Sequence, residues 1–97
     1  MATYVSLVNF TDQGVRTIKD TTKRAKAFVE LAQKAGVKVK DLYWTLGRCD
    51  LITITEAPDD EAATALLLSV GALGNIRTET LRAYSAEEMD KILARMP

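Results

Sequence analysis

Residues 37–55, with the sequence VKVKDLYWTLGRCDLITIT, decide the fold of this chain. An alternating and then evenly apolar segment, 37–46, predicts one β-strand, and the alternating segment 51–55, which continues to Glu56, predicts another. The GRCD sequence between them, residues 47–50, has the composition of a tight turn. The stretch therefore predicts a hairpin of two antiparallel strands near the centre of the chain.

A helical pattern precedes this hairpin. A segment rich in β-branched and aromatic residues, 3–10, predicts a first strand. Apolar residues then recur every three or four positions from 15 to 35, and Gly36 follows them as the residue that ends a helix. Asp and Thr favour caps over helix interiors, so the DTT sequence at 20–22 predicts a break between a short and a long piece.

A second helical pattern follows the hairpin. Pro58 and the three carboxylates after it favour the first turn of a helix, which ends at Gly71. The alternating segment 76–84 predicts a fourth strand. Ser85 and Glu88 have the spacing of a capping box ahead of a short C-terminal helix.

The resulting order, β-α-β-β-α-β-α, predicts one α+β domain over residues 1–97 with the ferredoxin-like split βαβ arrangement. Two right-handed crossovers place both long helices on one side of a four-stranded antiparallel sheet. By strand parity, the side chains expected to face the helices are Val5, Leu7, Ile52, Ile54, Leu81 and Ala83. Those expected on the opposite, helix-free face are Tyr4, Ser6, Val8, Phe10, Leu51, Thr53, Thr55, Thr78, Thr80 and Arg82.

The helix-free face is expected to need a cover, because a monomer rarely exposes an apolar patch beyond roughly 300–600 Å². The C-terminal helix is long enough to cover only part of it. The favoured cover is the same face of a second copy, in a symmetric dimer whose paired sheets enclose a cavity. Tyr43 and Trp44 point in opposite directions, and the sequence leaves open which of them faces the sheet interface.

The composition excludes several classes of function. Thirteen basic and thirteen acidic residues cancel, so no excess charge favours nucleic acid or an anionic membrane. The absence of histidine excludes imidazole-bound metal or haem and catalytic Ser-His-Asp or Cys-His pairs. One cysteine forms no internal disulfide. We expect no metal and no cofactor, and without a secretory signal or a membrane-spanning apolar run we expect a cytoplasmic protein.

Three blocks of the sequence resemble the GYD-domain family. They are YVSLVNFTDQG at 4–14, YWTLGRCDLITITEAPDD at 43–60 and LGNIRTETLRAYS at 73–85. The Gly-Tyr-Asp that names the family corresponds here to Gly47, Cys49 and Asp50, with Arg48 between, so that cysteine replaces the tyrosine. The resemblance implies a subunit of the dimeric α+β barrel superfamily, in which two sheets pack face to face. Some members of that superfamily are cofactor-free monooxygenases, some are isomerases and some bind haem through a histidine, but the GYD family itself implies no particular reaction.

The turn at 47–50 admits a structural and a functional interpretation. In the structural one, which we favour, Gly47 supplies a permissive backbone angle and Asp50 hydrogen-bonds nearby amides. In the functional one, Asp50 acts as a base or orients a ligand at the mouth of the barrel. Cys49 beside Arg48 is a weaker candidate for a nucleophile, because no base lies near it in the sequence.

A second candidate site is a small cavity with apolar walls and a few polar groups. The candidate ligand-binding residues are Tyr4, Phe10, Tyr43, Trp44, Thr78, Thr80 and Arg82. Arg82 could hold a carboxylate or an enolate. The alternative is that these residues form only the dimer interface, with Arg82 paired to Glu56, Glu79 or an acidic residue of the second copy.

Three functions remain open. The favoured hypothesis is a homodimer or higher oligomer that encloses a cavity for a small organic molecule and has no nucleic-acid or membrane partner. The second is a cofactor-independent oxygenase or isomerase that uses Asp50, Tyr43 or Arg82. The third is a structural or regulatory assembly module.

Overall fold

The computed structural model, which describes residues 1–97, contains the predicted elements in the predicted order. The strands are β1 Ala2–Phe10, β2 Lys38–Trp44, β3 Leu51–Ala57 and β4 Ile76–Ala83. The α-helices are α1 Asp12–Arg16, α2 Thr21–Lys34, α3 Asp60–Gly71 and α4 Ala86–Leu93, with a 3₁₀ turn at Ile18–Asp20. The predicted break in the first helical pattern is therefore confirmed.

The four strands form one antiparallel sheet in the order β2-β3-β1-β4. β1 occupies the centre, with β3 on one side and β4 on the other. The order and the two helical crossovers are those of the ferredoxin-like fold, so the predicted α+β class is confirmed. None of the helices combines the length and apolarity that crossing a bilayer would need.

Side-chain caps begin three of the helices, and the capping box of α4 is the one that the sequence predicts. The Thr11 hydroxyl accepts from the Gly14 amide at 3.1 Å and begins α1. The Asp59 carboxylate accepts from the amide of Ala62 at 2.8 Å and begins α3. The capping box of α4 has both of its hydrogen bonds. Each cap satisfies amide groups that a helix start leaves without partners.

The two faces of the sheet are exchanged relative to the prediction from parity, which was wrong. The side chains that lie beneath α2 and α3 belong to the set Tyr4, Ser6, Val8, Phe10, Leu51, Thr53, Thr55, Thr78, Thr80 and Arg82. The face without helices, called the open face below, carries Val5, Leu7, Ile52, Ile54, Leu81 and Ala83. Alternation decides which residues share a face, but not which face the crossovers cover. We assigned the more apolar set to the helices, whereas the helices cover the set that contains the small hydroxyl residues.

The alternative between Tyr43 and Trp44 is decided by an irregularity in β2. A register shift between Val39 and Asp41 changes the parity of the strand, so that Leu42 rather than Asp41 follows Val39 on the helix side. Trp44 then also lies on the helix side, where its indole Nε1 donates to the Thr21 hydroxyl at 3.0 Å. Tyr43 lies opposite Ile52 on the open face and is 59% exposed.

No part of the chain covers the open face. α4 makes no extensive contact with the sheet, and its apolar side chains Met89, Ile92 and Leu93 are themselves exposed. Leu81, which lies on β4 opposite Val5, is 47% exposed. Partial coverage by the C-terminal helix, which we considered from the sequence, does not occur within one chain.

Candidate ligand site

A cavity of about 210 Å³ lies between the helix side of the sheet and the two long helices. Its floor consists of Ser6, Val8, Leu51 and Thr53, and its walls include Phe28 of α2 and Leu67 and Val70 of α3. Twelve of its eighteen lining residues are hydrophobic, so the cavity is mainly apolar. Leu31, Leu73 and Thr78 also line it and are exposed, so it opens to solvent.

Small side chains at the centre of the sheet create this space. Thr53, Ser6 and Thr80 lie side by side on β3, β1 and β4. None of them reaches far enough towards the helices to fill the gap that larger aliphatic side chains would close. Ser6 and Thr80 share a hydrogen bond of 2.8 Å, which satisfies both hydroxyls beneath the helices.

Arg24 is the only charged residue that lines the cavity, and most of its hydrogen-bonding capacity is used within the chain. Its guanidinium donates to the Gly14 carbonyl at 3.0 Å and to the carbonyl and hydroxyl oxygens of Thr17 at 2.9 and 2.8 Å. It also lies 5.9 Å from the centre of the Phe10 ring. These contacts join α2 to α1, so the side chain holds one wall of the cavity in place.

The candidate ligand-binding residues divide among different places. Phe10 and Thr78 line the cavity. Tyr4 and Thr80 line a much smaller void of about 10 Å³ that shares part of the same floor. Trp44 lies on the helix side without lining the cavity, and Tyr43 lies on the open face. This cavity therefore lies between the sheet and the helices, and not on a face where two sheets meet.

Arg82 lies in a cluster at the end of β4 that the sequence did not reveal. Its guanidinium donates to Glu88 at 3.2 Å and packs over the rings of Tyr4 and Tyr84, 5.7 and 4.6 Å from their centres. The pKa of Glu88 is lowered below its ordinary value, mainly by the hydrogen bond from the Ser85 amide and next by the Arg82 guanidinium. Arg82 thus pairs with Glu88 of the capping box, and neither Glu56 nor Glu79 is its partner within the chain. Its role in one chain is to attach α4 to the sheet.

Tyr4 and Asp60 form a short hydrogen bond that links the first strand to the start of α3. The phenol donates to Oδ1 of Asp60 at 2.5 Å. This bond, together with burial of the phenol, raises the pKa of Tyr4 to about 12. Because the folded protein holds this proton more tightly than the unfolded chain, the contribution to stability is complete below pH 10.0 and is lost as the pH rises towards about 12.

We expect replacement of Asp60 by Asn to lower the pKa of Tyr4 towards its ordinary value of 10.0. The neutral amide is a weaker acceptor and removes the negative charge that opposes ionisation. A spectrophotometric titration of the three tyrosines at alkaline pH measures this as the loss of the step near 12. Glu61→Gln, in the same helical turn but without a contact to Tyr4, is the control and should leave that step in place. An unchanged step in Asp60→Asn would show that the hydrogen bond is not its cause.

The turn at 47–50 has the geometry of the structural interpretation. Gly47 has a φ of +104°, a conformation that favours glycine. Oδ2 of Asp50 accepts from the Phe10 amide at 2.9 Å, and the Asp50 amide donates to the Val8 carbonyl at 2.8 Å. The carbonyl of Cys49 accepts from the Thr45 hydroxyl at 2.7 Å. Asp50 therefore joins the turn to the end of β1.

The three candidate catalytic groups do not share a site. Asp50 contacts β1 at Phe10, and Arg82 packs over the ring of Tyr4 at the other end of the strand. Six residues of extended strand separate those positions by about 20 Å. Tyr43 lies on the opposite face of the sheet. No group of three or more cysteine, aspartate or glutamate side chains is arranged to hold a metal ion.

The chain resembles one protein family in its sequence pattern and several solved structures in its fold. The family model described as the GYD domain matches residues 4–93. TTHA0845 from Thermus thermophilus is 24% identical over 89% of this chain and 96% of its own, with a TM-score of 0.59. MtbAldR is 15% identical over 87% of this chain and 52% of its own, with a TM-score of 0.60. The C-terminal domain of MgtC from Mycobacterium tuberculosis is 12% identical over 89% and 92%, with a TM-score of 0.58. These three structures share the fold, and no curated protein matches the sequence significantly.

Proposed function

This chain belongs to the GYD-domain family, and we propose that it is a homodimer that binds a small, mainly apolar organic molecule between its sheet and its helices. The cavity of about 210 Å³ is the observation that carries the proposal. Small-molecule sites are typically concave and mostly apolar, with a few polar groups that orient the ligand. This cavity has that composition and opens to solvent.

The open face supports the dimer. Its apolar side chains Val5, Leu7, Ile52, Ile54 and Leu81 form a contiguous patch on neighbouring strands. Asp41, Glu56, Glu79 and Arg77 surround that patch, which is the arrangement of an interface with an apolar centre and a polar rim. Four strands of this length present about 500 Å² in projection. Two copies therefore bury about 1,000 Å², the lower limit for a specific interface.

We propose binding rather than a reaction, because the side chains suited to acid–base catalysis already have hydrogen-bond or ion-pair partners within the chain. The Asp50 carboxylate accepts a backbone amide, and Arg82 pairs with Glu88. Neither lines the cavity. An oxygenase or isomerase would need at least one such group facing its substrate.

Native mass spectrometry of protein freshly purified from its own host tests both parts together. We expect the mass of two chains and, after denaturation, release of a small organic molecule. The mass of two chains without a retained molecule would support the dimer, and binding would then be tested with added probes. A stable single chain would refute the dimer.

Filling the cavity should weaken binding without unfolding the protein. We expect Ala25→Leu to reduce the affinity for an apolar probe such as toluene at least tenfold, because the added atoms occupy space that the probe needs. A tenfold loss of affinity corresponds to about 1.4 kcal/mol of binding free energy. Ala65→Leu on the exposed side of α3 makes the same change in helix composition away from the cavity and serves as the control. Binding is followed by ligand-observed NMR. Equal affinities for the two variants would place the probe elsewhere.

A further inference from the structure

We infer that the ligand carries one uncharged hydrogen-bonding oxygen, which binds the hydroxyl of Thr53, on an apolar body about the size of one substituted ring. This inference rests on the proposed function and specifies the chemical class of the ligand. Two properties of the cavity carry it: a buried hydroxyl in its floor that has no partner within the chain, and the volume of the cavity.

Thr53 has a hydroxyl without a partner in the chain, in a residue that lines the cavity. Its side chain lies in the floor on β3 and is 5% exposed. Neighbouring Ser6 and Thr80 bond to each other, whereas Thr53 takes part in none of the side-chain hydrogen bonds of the chain. No fully enclosed side-chain oxygen lacks a partner. The Thr53 oxygen is therefore not fully enclosed, and the residue borders both the cavity and the 10 Å³ void. A bound molecule that excludes water from the cavity must supply the missing hydrogen bond.

The volume limits the size of that molecule. A dry cavity of about 150 Å³ accommodates benzene. The cavity here, at about 210 Å³, has room for one ring with a substituent and is smaller than the roughly 300 Å³ at the lower end of drug-sized sites.

A neutral oxygen fits this floor better than a charged group. Burying a carboxylate requires a positive partner with hydrogen-bond donors to spare. Arg24, the one cationic lining residue, already uses three of its five N–H groups on Gly14 and Thr17, which directs the guanidinium towards α1. A hydroxyl or carbonyl oxygen needs only the one partner that Thr53 offers, since the threonine hydroxyl both donates and accepts.

Phenol and toluene, matched in shape and different in one oxygen, test the inference when measured against a Thr53→Val variant. Valine keeps the shape of threonine and removes the hydroxyl. We expect the ratio of phenol affinity to toluene affinity to fall about tenfold in this variant, which corresponds to one hydrogen bond of about 1.4 kcal/mol. Toluene should bind the variant at least as tightly as the original protein.

Thr55→Val is the matched control. Thr55 lies two residues along the same strand and is 6% exposed, but it lines only the 10 Å³ void and not the cavity. Its variant should keep the original ratio, and thermal melts of both variants check that the fold is intact. If toluene binds and the ratio stays the same in Thr53→Val, the inference is wrong and the proposed binding function stands. If neither probe binds the unmodified protein, the proposed function fails and the inference fails with it.

Discussion

Leu81→Lys should convert the proposed dimer into a folded monomer. Leu81 lies beside Val5 on the open face, where 47% of it is exposed in a single chain. A lysine at this position remains solvated in the monomer and so leaves the fold intact. In a symmetric dimer it would place two ammonium groups against an apolar surface, because each copy contributes the same residue. We expect the dissociation constant of the dimer to rise at least a hundredfold, or about 3 kcal/mol.

Light scattering across a dilution series measures this change, and circular dichroism confirms that the variant is folded. Leu68→Lys is the control, because Leu68 is 69% exposed on α3, on the side of the sheet away from the open face. It introduces the same charge and should leave the dimer intact. A dimer that persists in Leu81→Lys but dissociates in Leu68→Lys would show that the interface lies on the helices and not on the open face.

Gly14→Ala should destabilise the fold more than any other single methyl group added to a glycine of this chain. A Cβ at this position would lie 2.1 Å from the backbone carbonyl oxygen of Asn75. That carbonyl cannot withdraw easily, since it also accepts from the Thr11 amide at 3.1 Å, and the Thr11 hydroxyl donates to Gly74. Alanine favours a helix over glycine by up to about 1 kcal/mol, which offsets only part of the clash. We expect a net loss of about 3 kcal/mol and a melting temperature lower by about 15 °C.

Gly71→Ala provides the comparison, because nothing lies within 4 Å of the Cβ that it would add at the end of α3. There the helix preference acts alone, and we expect stability to be unchanged or to rise by up to about 1 kcal/mol. Thermal denaturation of the two variants therefore isolates the clash from the intrinsic preference. Equal melting temperatures would mean that α1 moves away from the turn after α3 without loss of stability.

Local chemistry made much of this architecture predictable from the sequence alone. Ser85 and Glu88 form the predicted capping box, and Gly47 has a positive φ in the turn between β2 and β3. The order of helices and strands follows from spacing that each segment carries within itself, and the split βαβ arrangement follows from that order and from the handedness of crossovers. The turn interpretation of 47–50 rests on the same kind of short-range information.

Tertiary structure alone decided which face of the sheet lies under the helices, and with it the position of the cavity. Alternation groups Ser6 with Thr53 but assigns neither to a side, because both faces are apolar enough to require burial. Three features depend on how strands and helix ends meet in space: the bulge in β2, which decides which of Tyr43 and Trp44 faces the helices, the Tyr4–Asp60 hydrogen bond and the Arg82–Glu88 pair. Each segment of the chain contains its own spacing of apolar residues, which predicts a helix or a strand. Contacts between distant segments depend instead on register and packing, which no single segment contains.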